Sequence, residues 1–203
     1  MDTLNTEHII LKAAEEVFLD KGFAGTKTTD IAEKAGVNHA LLHYYFRTKE
    51  KLFDTVFENK AIEFLTIFKK SVDKDLPFIK KVKEFVETHF DFIEKMPKVP
   101  LFLMREVIAN KEKRDFILSK ILPLGISAFD KLENLIKTEA EKGHIRQVKA
   151  LDLMLNIASL NVMTFVLAQV YYGFDNQTDK NLQDFLAQRK LNNVELILRS
   201  LQI

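Results

Sequence analysis

Cysteine is absent from the 203 residues, and with it go disulfides, thiolate nucleophiles and cysteine-based zinc sites, so the expected compartment is the reducing cytoplasm. Proline is scarce. Its four copies, Pro77, Pro97, Pro100 and Pro123, all fall in the middle third, where they predict breaks between helices. An excess charge of one sign is missing too: 30 Lys and Arg stand against 29 Asp and Glu. Residues 1–60 carry eight basic and ten acidic side chains. Bulk charge therefore gives nucleic-acid binding no support, and such a role has to rest on a local patch. The opening stretch MDTLNTEHIILKAAEE is acidic and broken by charge, which predicts no secretory leader.

One long uncharged run exists, from Leu153 to Phe174, enough in length for a bilayer of about 30 Å. Asn156, Ser159, Asn161, Thr164 and Gln169 interrupt it, and Asp152 and Asp175 flank it where a membrane helix places basic residues. The run predicts a helix buried on more than one face, with a partner subunit on one of them and no membrane.

At 47% hydrophobic and 29% charged residues, the chain reads as soluble and globular. Its pattern is helical throughout. Ile10, Ala14, Val17 and Phe18 share a face of a first helix that Gly22 stops, and TTDIAEKAG gives a short second helix ending at Gly36. Asn38 caps a third, HALLHYYF, and Thr48 caps a fourth that runs to about residue 70. Further helices are expected at about 78–95, 101–110, 124–142, 149–172 and 180–201, with GFDNQTDK as the loop before the last. The expected architecture is all-α, with about nine helices: a unit at 1–48 followed by a larger helical body at 49–203.

Two short helices joined at a glycine turn have the spacing of a helix-turn-helix. Ala32 lets the helices cross closely, Gly36 permits the sharp turn, Val37 plugs the corner, and Leu42 with Phe46 anchors the second helix. His39, Ala40, His43, Tyr44 and Arg47 then face away from the core. A helical hairpin with no role on DNA shares that spacing. Beyond spacing, GTKTTDIAEKAGVNHALLHYYFRTKEKLF, Gly25 to Phe53, resembles the N-terminal signature of TetR-family transcriptional repressors, and ILKAAEEVFLDKGF before it resembles that family's first helix. The resemblance covers about residues 8–58; GHIRQVKALD, Gly143 to Asp152, is a weaker echo of the family's connector into its eighth helix.

The resemblance implies a DNA-contacting surface at Asn38, His39, Ala40, Leu41, His43, Tyr44 and Tyr45, with Lys49 and the hydroxyls of Thr26 and Thr28 near phosphates. By chemistry, Tyr44, Tyr45, Lys49 and Thr26 are expected on phosphates, and His39 with Asn38 on base edges. Packing alone also accounts for Tyr45 and Thr28. The sequence departs from the family pattern at Leu41, where a small polar residue is common, and at His43, where tyrosine is. The resemblance further implies a homodimer through helices at about 149–172 and 180–201, a palindromic operator in double-stranded DNA, and a body that encloses a small-molecule effector. A factor of the same fold without an effector is the other reading.

The chain has seventeen phenylalanines and no tryptophan, and most of the phenylalanines fall in the body. Most are core, and Phe85, Phe92, Phe102, Met104, Phe116 and Met163 are the expected lining of a pocket for an apolar or aromatic ligand, with Arg105 or Glu106 as polar discriminator. His39 and His43 lie four apart on one helix face, yet no carboxylate on that helix completes a metal site, and the ExxH at Glu141 to His144 contains Gly143. No phosphate loop and no nucleophile–base constellation is present. The expectation is a regulator with no catalytic residues, no metal and no cofactor.

Overall fold

The computed structural model describes residues 3–172 and 180–203, which hold helices and no strand. In chain order these are α1 (Thr3–Gly25), α2 (Thr28–Ala35), α3 (His39–Phe46), α4 (Lys49–Asp73), α5 (Phe78–Lys95), α6 (Lys98–Ala109), α7 (Lys111–Phe116), a π turn (Ile117–Ile121), α8 (Leu122–Glu141), α9 (Ala150–Tyr172) and α10 (Lys180–Arg199). Residues 111–141 form one unbroken helical run, so the ten α-segments make nine rods. The loop expected at 173–180 lies, apart from Lys180, outside the described residues.

Local chemistry sets most boundaries. Gly36 takes φ 66° at the end of α2, and the N–H groups of Gly36 and Val37 return to the carbonyls of Glu33 and Ala32, which closes the helix with a left-handed residue. Asn38 and Thr48 cap α3 and α4, accepting from the N–H groups of Leu41 and Lys51. Pro77 and Pro97 precede α5 and α6. Pro123 differs from expectation: it does not separate two helices. The run widens into a π turn just before it, with the Leu122 N–H reaching the Ile117 carbonyl five residues back. That accommodates a ring with no N–H inside a continuous helix.

Three apolar clusters hold the rods together. The first gathers Ile10, Phe18, Ile31, Leu42, Phe46, Leu52, Phe53 and Phe57 from α1 to α4, and Phe102 from α6. The second fills the far end of the body with Phe68, Val82, Phe85, Leu132, Ile136, Leu153 and Ile157. The third joins α5, α6, α9 and α10 through Phe90, Phe92, Val99, Phe165 and Leu186. Helix α4 serves both ends, its first half packing on the helix-turn-helix and its second half on the body.

Candidate nucleic-acid interface

Leu42 and Phe46 are buried beneath α3, which turns the opposite face outward: His39, Ala40, His43 and Tyr44 are exposed and Leu41 is half-buried. Tyr44 is 72% exposed, a large ring held in water with no apolar neighbour required to cover it. The His39 and His43 rings meet edge to face at 5.0 Å, and the Tyr44 and Tyr45 rings at 5.3 Å. No Asp or Glu occurs in α3, and Lys27, Arg47 and Lys51 stand exposed around it. A polyanion meets donors, rings and cations here, with Asp30 drawn aside onto Lys21 at 2.6 Å.

Several expected contacts are committed elsewhere. The Thr26 hydroxyl is not available to a phosphate: Thr26 is 2% exposed and donates to the Gly22 carbonyl at 2.7 Å. The Lys49 ammonium likewise turns inward, donating to the Phe23 and Thr26 carbonyls at 2.8 and 3.0 Å and lying 4.2 Å from the centre of the Phe23 ring. A cation at the carbonyl end of α1 is where the partial negative charge of a helix end draws it. Asn38 spends its oxygen on the α3 cap, leaving only its amide N–H groups for a base edge. Thr28 and His39 pair at 2.9 Å through the hydroxyl and Nε2, which ties the start of α2 to the start of α3. Tyr45 is half-buried against the first cluster. Lys27 and Lys51, exposed at the starts of α2 and α4, are two further cations beside α3 that the sequence pattern did not single out.

The body meets this unit along α1. Gly22 has φ 67° and ψ 179°, and the Arg105 guanidinium of α6 occupies the space a Cβ would need, 2.0 Å from its Nη2. Lys98 pairs with Asp20 at 2.6 Å, and buried Lys60 with Glu15 at 2.8 Å. Arg105 therefore faces α1 and not a pocket. Glu106 is buried but accepts from that same guanidinium at 3.3 Å.

The expected pocket lining is not one site. Phe85, Phe102 and Phe92 fall in three different clusters, Phe116 meets Phe57 in the cluster of Phe102, and Met104 and Met163 are 49% and 48% exposed. Composition places aromatic rings in the body but carries no information on which helices face each other. A small, partly open cavity of about 20 Å³ lies at the far end between α4, α5, α8 and α9, and Phe85 alone of the six lines it; Met163 lines a separate open hollow with Leu160, Leu167 and Phe185. Among the described residues no group of three potential metal ligands is found.

Helix α9 is long and apolar enough to cross a bilayer, yet its buried face carries Asn161 and Thr164. Asn161 donates to the Val86 carbonyl, Asn193 Nδ2 donates to Asn161 Oδ1 and Thr164 Oγ1, and Asn193 Oδ1 accepts from Arg189. Its outer face shows Leu151, Leu155, Met163, Leu167, Val170 and Tyr171 to solvent.

Residues 10–56 match the family model for bacterial regulatory proteins, tetR family. That stretch, α1 to the start of α4, carries the tetR-family N-terminal signature. It is 30% identical over 101 residues to the HTH-type transcriptional regulator RutR of Escherichia coli, covering 50% of this chain and 47% of RutR. With the HTH-type transcriptional activator FasR of Mycolicibacterium smegmatis it shares 29% identity over 85 residues, 42% of this chain and 39% of that one. The chain thus aligns with less than half the length of these curated relatives. In fold, the chain is similar to the regulator FadR of Bacillus subtilis, solved with stearoyl-CoA, at a TM-score of 0.69 and 20% identity over 96% of this chain and 99% of that one.

Proposed function

We propose that the chain is a DNA-binding transcription regulator that acts as a homodimer on a palindromic operator, represses from it, and is released by a small apolar or aromatic ligand in its body. The carrying observation is the outer face of α3, where His39, His43 and Tyr44 stand exposed on an anchored helix free of acidic residues. In this reading residues 1–48 hold the reading elements and residues 49–203 the body. Asn38, His39, Ala40, Leu41 and His43 meet base edges, and Tyr44, Lys27 and Arg47 meet phosphates. Thr26 and Lys49 act indirectly, by fixing the α1–α2 and α1–α4 joints.

The apolar outer face of α9, with α10 beside it, is the surface for the second copy, since isologous burial turns exposed leucines into an interface. A two-fold dimer then matches a two-fold operator. The stearoyl-CoA held by the FadR structure supports an apolar effector, and release follows if the ligand binds better to a dimer whose reading helices are spaced wrongly for DNA. The same fold without an effector is favoured by a cavity of only about 20 Å³.

Fluorescence anisotropy on the chain's own upstream DNA, across a salt series, tests the reading. Lys27→Ala is expected to weaken all sequences alike and to reduce the salt slope by about 1, while His39→Ala changes sequence preference. Binding that ignores both substitutions removes α3 as the reading surface.

A further inference from the structure

His89 of α5 is 1% exposed and sits between two rings, stacked on Phe85 at 5.8 Å and edge-on to Phe64 at 5.2 Å. Its tautomer is fixed by its neighbour. Asn161 Nδ2 donates to the Val86 carbonyl at 3.0 Å, so that atom is the amide nitrogen, and the same nitrogen lies 3.0 Å from His89 Nδ1. Nδ1 therefore accepts, and Nε2 carries the hydrogen. Among the described residues that Nε2 is the one buried side-chain nitrogen or oxygen without a hydrogen-bond partner. An edge-on phenylalanine offers it at most a weak contact.

A buried donor left unmade costs about 1–3 kcal/mol. Burial also holds the imidazole neutral, its pKa pushed down to about 4 by loss of water. The group is thus a neutral donor that answers to an acceptor. Phe85, which stacks on it, is also a wall of the far-end cavity, together with Phe68, Val82, Leu153, Met154 and Ile157. That cavity holds about one water-sized sphere, but Met154 and the Phe85 ring border it, and an unbranched thioether adapts readily to a guest. Lys81 stands at its edge with the ammonium directed onto the Val72 carbonyl at the end of α4. The one cation lining the cavity, Lys81, is thus already held by a backbone carbonyl and is not directed at a carboxylate in the interior.

We propose that the far-end cavity and His89 form one effector site, entered by displacement of the Phe85 ring, for an aliphatic chain bearing an uncharged carbonyl oxygen that accepts from Nε2. This rests on the reading of the body as a ligand-binding unit and names its ligand class: esters, thioesters or ketones of medium to long alkyl chains. The chain fills the apolar space, and the carbonyl supplies the partner that a hydrocarbon lacks.

The test uses the full chain labelled with 15N-histidine, and three probes: methyl decanoate, undecane as a match without an acceptor, and decanoate. Methyl decanoate is expected to bind about tenfold tighter than undecane, the ratio that corresponds to one hydrogen bond of about 1.4 kcal/mol, and to shift the His89 Nε2–H resonance. His89→Phe, which keeps a ring in the stack and removes the donor, is expected to bring the two affinities together. Should that variant not fold, the resonance shift in the unaltered chain decides. Equal binding of ester and hydrocarbon, an unmoved Nε2–H resonance on ester binding, or tighter binding of decanoate overturns the assignment, as does absence of binding by all three. DNA affinity of the ligand-free protein is measured in the same samples: its loss counts against the regulator reading alone, and its retention with no ester preference counts against the effector site alone.

Discussion

Around Phe53 the reading unit has rings inside and polar groups outside, whereas around Asn161 the body has amides and an imidazole inside and leucines outside. Phe53 meets Phe18 and Phe23 edge to face at 5.0 Å each and lies 5.5 Å from Phe102; above it, α3 shows histidine and tyrosine to water. In the body, His89, Asn161, Thr164 and Asn193 are buried while Leu151, Leu155, Leu167 and Val170 are exposed. Under the proposed function, the difference follows from what each surface meets. A polyanion is recognised by exposed donors on a rigid, dry support, and a second protein copy by exposed apolar area. Polar groups within a bundle fix which helices pair, because only one arrangement satisfies them.

The largest expected effect breaks the reading unit's support. Phe53→Ala removes the ring shared by four aromatic neighbours, and large-to-small changes of this kind cost about 3–5 kcal/mol. Urea denaturation is expected to show that loss as a lower midpoint. A loss below about 1 kcal/mol would mean that the cluster relaxes around the hole and is not what holds α3 in place.

The next effect belongs to the body's buried polarity. His89 titrates at about 4 when folded against 6.5 when free, so the unfolded chain binds the extra proton between those values. Stability is therefore complete above about pH 6.5 and falls as the pH drops toward 4, by roughly 3 kcal/mol in all at 1.36 kcal/mol per pH unit. The ion-paired carboxylates Asp20, Asp73 and Glu139, held below their ordinary values of 3.8 to 4.5 by lysine partners, lose their contribution only beneath about that upper value. Denaturation midpoints at pH 7 and 5 are expected to differ in the unaltered chain and to differ much less in His89→Phe. An unchanged pH dependence in the variant would assign the loss to other groups.

How far the sequence reached follows the same division. The helix-turn-helix was legible because its determinants are local: Gly36, Asn38, Thr48 and the Leu42–Phe46 spacing act within a few residues of themselves. In the body, the bounds of α5 followed from Pro77 and its own periodicity for the same reason, whereas α6 starts at Lys98, three residues before expectation, because Pro100 fits inside its first turn. The pocket was not legible, since Phe85, Phe92 and Phe102 share composition but face different helices, and only packing assigns them. Nor was the inward turn of Lys49, which depends on where the end of α1 lies, 23 to 26 residues away in sequence. The helical run from Lys111 to Ile121 was missed because Pro123 reads as a break unless the turn before it widens.

The smallest effect sits at the joint between the two regions. Arg47 follows α3 with φ 60° and ψ −57°, the sole non-glycine residue with positive φ among those described, and the Thr48 N–H returns to the Phe46 carbonyl across it. This is a γ-turn of the strained hand, a conformation that costs a side-chain-bearing residue about 1–3 kcal/mol and that glycine adopts freely. Arg47→Gly removes that strain, offset by glycine's larger freedom when unfolded, so a net gain of about 1 kcal/mol is expected, visible as a rise of about 2–4 °C in Tm for a chain of this length. The same variant lacks a cation beside α3, and if Arg47 meets a phosphate its DNA affinity falls for all sequences with a salt slope lower by about 1. A chain that becomes more stable and binds DNA less tightly assigns the strain to function; one that becomes more stable and binds equally well leaves Arg47 as a joint alone.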